Sequence, residues 1–425
     1  MQFLRKSAFA AILFSLSLNV FDLHSQDGEK QPTASKTDKY RLIWTTSPTT
    51  RVTMGWNQKS GDPGTVHWGE TDHGRDAGAY PESLAATRVK KYDGFTNCFA
   101  KLEGLKPDTR YYLVISDEHG TSSRFQFQTA PATPQPFTFI AGGDSRNFRD
   151  VRIAANMMVE KLRPLFVAFT GDMINKDDAL EWDEWLDDWQ HTTSDDGFLI
   201  PIVAHRGNHE KRPETIPSYF NTPKDAYFGF SIGGDLFRYL TLNSEIPASG
   251  KQEEWLDEQL KKYSGSTTHL VAGYHKPMRP HVSAKSEGTN PMQWADNFYE
   301  HGLDLALESD SHVMKRTVAL KPSSDGHEGF VAAPDDPKAT VYIGEGCWGA
   351  PLRANDDNKP WTLASGSFNG FDWIQVSPEK IEVKTVKILN PSKVKPVSPE
   401  EPFENPEGIT LWEPGSGTVL TIKAD

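Results

Sequence analysis

The chain has 425 residues, of which 37% are hydrophobic and 24% are charged, and its formal net charge is −13 at pH 7. This length predicts two domains, and the composition is that of a globular protein rather than an integral membrane protein. A surface this acidic repels polyanions, which excludes nucleic acid as a bound partner, whereas a small anionic substrate is compatible with a local cluster of metal ions.

Residues 1–25 have the pattern of a secretory signal peptide. Arg5 and Lys6 form a basic head, and an uncharged, mostly apolar run at 7–20 is followed by a cleavage site before Gln26. This run is shorter than the ~20 residues that a membrane-spanning helix needs. We therefore predict export to the periplasm or the extracellular space, without stable membrane insertion after cleavage, and a polar linker at 26–39.

Residues 40–131 predict an antiparallel β-sandwich, because short alternating runs are separated by Pro and Gly turns. The runs lie at Arg41–Trp44, Arg51–Trp56, Thr65–Trp68, Asn97–Leu102, Tyr111–Ile115 and Ser123–Thr129. Segment 102–112 contains a Gly-Leu-x-Pro-x-Thr-x-Tyr-Tyr pattern and resembles the corner of fibronectin type III-like domains. Three prolines between residues 130 and 136 then predict a linker, since proline cannot continue a ladder.

Residues 137–390 have an α/β pattern, with apolar strands interleaved with helical segments such as Asp150–Leu162 and Gln252–Lys262. This alternation predicts sheets covered by helices. The apolar runs lie at Phe137–Ala141, Leu165–Phe169, Leu199–Ala204, Leu270–Ala272, Leu303–Leu307 and Ala339–Ile343. Trp182, Trp185 and Trp189 recur at helical spacing, and we predict that they pack in the interior. Residues 391–425 follow as a C-terminal extension.

Five of these apolar runs end in polar groups that bind metal ions. The groups are Asp144, Asp172, Asn208, His275 and, after the fifth run, Asp310 with His312. A single Gly-Asp after a strand is typical of a turn. A single histidine is more often a hydrogen-bonded side chain of the protein than a metal ligand. Five in order at the same end of successive strands indicate one crevice, because ligands of α/β sheets bind at the carboxyl ends of the strands.

The chemistry of these side chains indicates the class of metal. Carboxylate, imidazole and amide oxygen ligands suit Mn, Fe or Zn ions, and an aspartate between two such ions can bridge them at ~3.5–4 Å. Cys98 and Cys347 are far apart in sequence, so we predict free or buried thiols and no zinc–thiolate cluster.

The order Gly-Asp-x-Arg, Gly-Asp, Gly-Asn-His-Glu, a strand-borne histidine and a final histidine resembles the calcineurin-like metallophosphoesterase superfamily. With the sandwich in front, residues 40–390 resemble purple acid phosphatases, and the block at 207–210 is the most specific part. The resemblance implies two stacked sheets flanked by helices. It also implies that Asp172 bridges two metal ions and that His209 contacts the phosphate and protonates the leaving alkoxide. The remaining implied ligands are Asp144 and His312 for the first ion, and Asn208, His275 and Asp310 for the second.

Three positions depart from the family pattern. Asp310 stands where the family usually has a histidine, which adds negative charge and favours a harder ion. Asn175 stands where purple enzymes have a tyrosine, so no tyrosinate-to-iron charge transfer is expected. Arg146 stands where many members have a histidine, so Asn175 or water must complete the first ion's ligands, with lower affinity unless the surrounding residues compensate.

Two further features have more than one interpretation. Arg146 and His281 are candidates for contacts with the phosphate or the rest of the substrate, and the alternative for Arg146 is a salt bridge to a neighbouring acid. The glycine-rich segment 344–353 is either a turn after the preceding strand or a loop in which Trp348 or Arg353 shapes the mouth of the pocket.

The predicted function is that of an exported, dinuclear metal-dependent phosphoesterase acting on a small phosphorylated substrate through a metal-bound hydroxide. The acid-phosphatase type, a phosphomonoesterase, is the leading prediction. One alternative keeps the site but changes the substrate to a phosphodiester or another ester anion such as a sulfate. In the other alternative, the changes at Asp310 and Asn175 mark a catalytically degenerate site in an exported binding protein.

Overall fold

The computed structural model describes residues 33–285, 291–398 and 400–424. The predicted signal peptide and the first half of the predicted linker, residues 26–32, therefore lie outside the described residues. The first strand begins at Thr37, two residues before the predicted end of the linker at residue 39. Thr37 and Asp38 are polar, yet they pair with Gln58 and Asn57 of the next strand, because backbone pairing does not require apolar side chains.

The N-terminal part consists of short strands, as the alternating runs predict. Their bounds are β1 Thr37–Ile43, β2 Arg51–Gln58, β3 Thr65–Gly69, β4 Glu82–Ala85, β5 Arg88–Tyr92, β6 Phe95–Glu103, β7 Arg110–Asp117, β8 Gly120–Thr121 and β9 Phe125–Gln128. Strands β4 and β5 were not predicted, because their side chains are exposed or half-buried and the sequence there has no clear apolar alternation. The proline-rich segment 130–136 contains no strand, in agreement with the prediction.

The rest of the described chain alternates strands with a few helices. The strands are β10 Phe137–Gly142, β11 Val167–Phe169, β12 Ile202–Ala204, β13 Phe228–Ile232, β14 Phe237–Thr241, β15 His269–Gly273, β16 Leu305–Glu308, β17 Met314–Thr317, β18 Leu320–His327, β19 Phe330–Ala332, β20 Val341–Gly344, β21 Thr362–Gly366, β22 Gly370–Val376, β23 Lys380–Lys387 and β24 Val419–Lys423. The α-helices are α1 Arg149–Leu162, α2 Ala179–Trp189, α3 Thr215–Phe220, α4 Lys251–Tyr263 and α5 Trp294–His301. Short 3₁₀ helices lie at Ala77–Ala79, Gln190–Thr192, Pro291–Gln293 and Pro391–Lys393.

Two large sheets organise these strands. A ten-stranded sheet has the order β24-β23-β22-β10-β11-β12-β1-β2-β6-β5, and a seven-stranded sheet has the order β13-β14-β15-β16-β20-β17-β21. Strand β1 pairs with β12 in parallel at Ile43 and Ile202, so the first sheet continues from the N-terminal strands into the α/β part. Strands β4, β3, β7, β8 and β9 form the second sheet of the sandwich. In the predicted C-terminal extension, β24 pairs with β23 at the end of the ten-stranded sheet.

The buried side chains form layers on both faces of the two large sheets. One cluster joins Trp56 of the sandwich to Phe139 of β10 and Val271 of β15, and therefore fills the space between the sheets. A second cluster packs α1, α2 and α3 on the outer face of the ten-stranded sheet, and a third packs α4 and α5 on the outer face of the seven-stranded sheet. This is the predicted fold class: an N-terminal β-sandwich followed by stacked sheets flanked by helices.

Helix α2 carries the three tryptophans predicted to pack in the interior. Asp178 caps the helix by accepting from the Glu181 backbone N–H. Trp182, Trp185 and Trp189 are buried, and the rings of Trp185 and Trp189 stack with their centroids 5.4 Å apart. The packing prediction is confirmed.

Two further observations concern the cysteines and the helices. Both cysteines are free and buried, as predicted. Within the described ranges, the longest apolar helices fall short of what is needed to cross a bilayer.

Candidate metal centre

Neighbouring strands of each large sheet deliver the predicted ligands to one crevice. Asp144, Asp172 and Asn208 follow β10, β11 and β12, which are adjacent in the ten-stranded sheet. His275 and Asp310 follow β15 and β16, which are adjacent in the seven-stranded sheet. Because the parallel strands end on the same side of each sheet, their side chains meet there. We call the set the candidate metal centre, and its residues are Asp144, Asp172, Asn208, His275, Asp310 and His312.

The backbone at the centre is held in unusual conformations. Asp144, Asp172 and Asp310 have φ angles of 57°, 54° and 72°. Residues other than glycine are uncommon in this left-handed region and cluster at functional sites. Hydrogen bonds hold this backbone, since Asp144 N–H donates to Gly171 O at 2.9 Å and Asp310 N–H donates to Asp144 Oδ2 at 2.7 Å. A side-chain carbon on Gly207 would lie 2.3 Å from Asp172 Oδ1, so this close approach requires glycine.

The ligand set implied for the second ion is closely grouped around His275. Its Nε2 lies 3.2 Å from Asp172 Oδ1, 3.1 Å from Asn208 Oδ1 and 3.7 Å from Asp310 Oδ1. The other ring nitrogen, Nδ1, lies 2.9 Å from the Thr170 carbonyl oxygen and must donate to it. Burial alone would lower the pKa of His275, but Asp172 raises it well above its usual value, so Nε2 carries a proton that a metal ion would replace on binding. The fixed Nδ1–H directs Nε2 toward the oxygen atoms, which is the arrangement of a histidine ligand with its outer hydrogen bond.

The set implied for the first ion has the same histidine arrangement. Nδ1 of His312 donates to Pro351 O at 2.7 Å, and Nε2 lies 3.2 Å from Asp144 Oδ1. Asp144 Oδ1 and Asp172 Oδ2 are buried and accept no hydrogen bond from the described residues. Buried carboxylate oxygens without a donor are costly unless a cation binds them. Across the two sets, atoms of Asp144, Asp172 and His275 lie within 4.8 Å of one another, so the centre fits at least one metal ion.

Arg146 lies among these groups rather than pointing away from them. Its Nη2 is 3.1 Å from His312 Nε2, its Nη1 is 3.2 Å from Asn175 Oδ1, and its Nε is 3.4 Å from Asp172 Oδ2. The ion pair with a neighbouring acid, one of the two interpretations of Arg146, is therefore present. The Asn175 side-chain oxygen accepts a hydrogen bond from the guanidinium.

His209 lies at the edge of the centre. Its backbone N–H donates to Asp172 Oδ1 at 2.9 Å, and its Nδ1 donates to the Asn175 carbonyl at 2.7 Å. Its Nε2 is 3.8 Å from Asp172 Oδ2, and 22% of the side chain is exposed. Nε2 is thus the ring atom that remains for a substrate.

His281 does not join the centre, which corrects its prediction as a substrate contact. The residue is fully buried, with Nδ1 3.2 Å from Glu345 Oε1 and Nε2 2.7 Å from Thr362 Oγ1. Its ring also packs edge-on against Trp361. Both ring nitrogens have protein partners, so His281 has a structural role behind the site.

Two family models match consecutive parts of the chain. The model for the purple acid phosphatase N-terminal domain matches residues 37–129, and the model for calcineurin-like phosphoesterases matches residues 111–314. The second match contains the whole candidate centre, from Asp144 to His312. Residues 111–314 are a calcineurin-like phosphoesterase domain. The resemblance seen in the sequence is confirmed.

Known proteins resemble this chain in sequence and in fold. Serine/threonine-protein phosphatase CPPED1 of Bos taurus is 32% identical over 40% of this chain. The match spans 61% of the length of that relative. Purple acid phosphatase 23 of Arabidopsis thaliana is 23% identical over 64% of the chain and 71% of that relative. The structure of purple acid phosphatase PPD1 from Lupinus luteus superimposes with a TM-score of 0.70 at 13% identity, over 84% of this chain and 72% of that one. A structure of PhoD superimposes with a TM-score of 0.63 at 12% identity, over 92% and 93%. At these identities the two structures establish the shared fold.

Lys285 contacts the candidate metal centre, and the sequence did not reveal this residue. Its Nζ lies 2.5 Å from Asp310 Oδ1, and 21% of its side chain is exposed. No motif marks this lysine, because it reaches the centre from a loop without regular structure. The ion pair compensates the negative charge that Asp310 adds where the family usually has a histidine.

Glu210 supports the loops from below. Its Oε2 accepts from the backbone N–H groups of Asp172 at 3.0 Å and Gly207 at 2.7 Å, and its Oε1 accepts from Met173 N–H at 2.8 Å. Burial raises the pKa of Glu210 to about 8, and the neighbouring Asp172 carboxylate adds to this shift. Its place in the Gly-Asn-His-Glu block was the available signal, but the block does not distinguish a support from a ligand.

The glycine-rich segment 344–353 contacts the candidate metal centre at Asp144 and Asp310. Gly346 has φ 77°, and a side-chain carbon there would lie 1.9 Å from Asp144 Oδ2. Arg353 Nη1 donates to the Asp310 carbonyl at 2.6 Å. Trp348 is fully buried and does not shape the pocket mouth. The segment is therefore a support for Asp144 and Asp310 rather than a plain turn.

The electrostatics of the centre keep Asp172 and Asp310 ionised. Burial alone would raise the pKa of Asp172, but His275 and His209 hold it well below the usual range. Burial likewise opposes ionisation of Asp310, whose pKa is lowered by His275 and Lys285. Ionised carboxylates are the form that binds a cation.

Proposed function

We propose that the chain is an exported, metal-dependent phosphoester hydrolase of acid-phosphatase type that acts on small phosphomonoesters. The single observation that supports this function best is the convergence of atoms that can bind a metal ion at the candidate metal centre. His275 Nε2 faces oxygens of Asp172 and Asn208 at 3.2 and 3.1 Å. Asp144 Oδ1 and Asp172 Oδ2 are buried and accept no hydrogen bond from the described residues. A metal ion bound here would satisfy these buried oxygens.

The proposed ion is Fe, Mn or Zn, because oxygen and imidazole ligands suit these ions. The family resemblance implies two such ions, with ligands divided as described above. When bound, such an ion supplies Lewis acidity to the phosphoryl oxygens and lowers the pKa of water. Residues of this chain orient the ligands. The carbonyl oxygens of Thr170 and Pro351 accept hydrogen bonds from His275 and His312 and so fix the two rings.

His209 is proposed to hold the proton that the leaving group needs. Its Nδ1–H is fixed on the Asn175 carbonyl, so proton exchange takes place at the partly exposed Nε2. A protonated Nε2 can donate to the leaving alkoxide oxygen, and the same atom can hydrogen-bond the phosphate before cleavage.

The proposed substrate class follows from charge. The net charge of −13 disfavours a polyanion such as nucleic acid, whereas one phosphate group fits a crevice with Arg146, Lys285 and a metal ion. Export is proposed from the pattern of residues 1–25. A phosphodiester or a sulfate ester requires the same centre, so these substrates are alternatives within the same test.

The test is hydrolysis of an aryl monophosphate, a bis-aryl phosphate and an aryl sulfate by the metal-loaded protein. The monophosphate should be the fastest. Asp172→Asn removes a charged ligand and should lower kcat/KM at least ~100-fold, since even losses in the outer hydrogen bonds of a metal site cost 10–100-fold. Asp62→Asn, a change in an exposed loop of the sandwich, is the matched control. Undiminished turnover by Asp172→Asn would overturn the proposal. A faster rate on the diester or the sulfate would reassign the substrate, and no turnover of any ester would favour the degenerate binding protein.

A further inference from the structure

The position of the Arg146 guanidinium bears on how many metal ions the centre binds. In the family resemblance, a histidine at this position is a ligand of the first ion. Here the guanidinium contacts Asp172 Oδ2 at 3.4 Å, His312 Nε2 at 3.1 Å and Asn175 Oδ1 at 3.2 Å. These are the groups that would otherwise complete the first ion's ligand set. The positive charge of arginine is therefore located where that set converges.

The hydrogen on Arg146 Nη2 uses the lone pair that a first ion would need. Nδ1 of His312 donates to the Pro351 carbonyl, so the neutral ring has one lone pair, on Nε2. Arginine has only donors and stays protonated, so it must donate to this lone pair. A metal ion and the guanidinium cannot share one lone pair, and two cations at this separation repel each other.

Arg146 is also held in place. It is 9% exposed, and Nη1 makes a second hydrogen bond with Asn147 Oδ1 at 3.1 Å. Moving the guanidinium away would therefore break its contacts with Asp172, Asn175 and His312 together.

The second ligand set differs because no arginine enters it. Around His275 Nε2, the neighbours are oxygen atoms of Asp172 and Asn208 at 3.2 and 3.1 Å. The cation nearby, Lys285, pairs with Asp310 alone and is partly exposed, so it approaches from the rim. This set can accept a metal ion without displacing the arginine.

We propose that Arg146 replaces the first metal ion, so that this phosphoesterase binds one ion per chain, at Asp172, Asn208, His275 and Asp310. The guanidinium supplies a fixed positive charge and donors for the phosphoryl oxygens, as a metal ion would, but it offers no coordination site for water. Its catalytic meaning rests on the proposed function, whereas the ion count does not.

The test is the number of ions bound by the purified full chain. The protein is stripped with a chelator, reloaded with Mn²⁺, freed of excess ion by gel filtration and analysed by elemental mass spectrometry. We expect one Mn²⁺ for the wild type and two for Arg146→His, which restores the family's ligand. Electron paramagnetic resonance should show an isolated Mn²⁺ spectrum in the wild type and a spin-coupled pair in Arg146→His.

Two control variants accompany the test. Arg146→Lys keeps a cation at the position and should stay at one ion. Lys285→Met removes the rim cation and should also stay at one ion. Thermal unfolding is recorded for each variant, and the wild-type count stands even if a variant fails to fold.

Two ions or none in the wild type would overturn the inference, as would a folded Arg146→His protein that still binds one. The outcome is separable from the proposed function. One ion without esterase activity would refute the function alone, and two ions with full activity would refute the inference alone.

Discussion

His209 shows how a single residue of the centre is prepared for one task. Its main-chain N–H holds the Asp172 carboxylate, while the Asn175 carbonyl fixes its ring, so Nε2 has a defined direction. A residue that only positions Asp172 through its backbone would tolerate a change of side chain. A residue that donates a proton from Nε2 would not.

Substitution of His209 by glutamine should therefore affect substrates unequally. An alkyl phosphate needs a proton on its leaving oxygen, so we expect kcat to fall ~10²–10⁴-fold. An aryl phosphate with a weakly basic leaving group needs little protonation and should lose much less. Steady-state kinetics on both substrates checks this, with His119→Gln in an exposed turn as control. Equal losses on both substrates would contradict a proton-donating role.

At the scale of elements, the sequence predicted what depends on local pattern. The strands β10, β11, β12, β15 and β16 and the polar groups after them were readable because each strand is an apolar run followed by a short motif. The exposed strands β4 and β5 and the position of Lys285 were not readable, since neither has a periodic apolar signal. His281 was misassigned because sequence does not reveal whether a histidine side chain turns toward a crevice or into the core.

The segment 344–353 illustrates an element whose role depends on close contact. Gly346→Ala should both strain the backbone, given its φ of 77°, and push Asp144 Oδ2, which lies 1.9 Å from the new carbon position. We expect weaker Mn²⁺ binding and a loss of about 1–3 kcal/mol in the free energy of unfolding. Isothermal titration and urea denaturation measure the two effects. Gly415→Ala, in open space, should change neither. Unchanged metal affinity in Gly346→Ala would show that the segment does not support the metal centre.

At the scale of the whole molecule, a buried polar network connects the two large sheets. Arg316 in β17 of the seven-stranded sheet lies with its Nη2 3.0 Å from Thr385 Oγ1 in β23, and Thr385 donates to Asp372 Oδ1 in β22 at 2.5 Å. The three residues are almost completely buried. Interiors tolerate such groups only when they satisfy one another, so the state of Asp372 affects the packing of one sheet on the other.

The pH dependence of stability should report on this network. Burial raises the pKa of Asp372 to about 6, although Arg316 and Thr385 favour the charged form. The folded pKa exceeds the unfolded value, so the contribution of Asp372 is fully present below pH ~4 and is lost as pH rises through about 6. This pKa shift corresponds to a loss of about 3 kcal/mol in the free energy of unfolding by pH 7.

Asp372→Asn cannot ionise, so the variant should gain stability relative to the wild type between pH 4.5 and 7.5. Urea denaturation at both values measures this difference, with the exposed Asp325→Asn as control. A gap between Asp372→Asn and the wild type that does not change with pH would mean that Asp372 stays ionised through its pairing with Arg316, and that the two sheets are joined by a true ion pair.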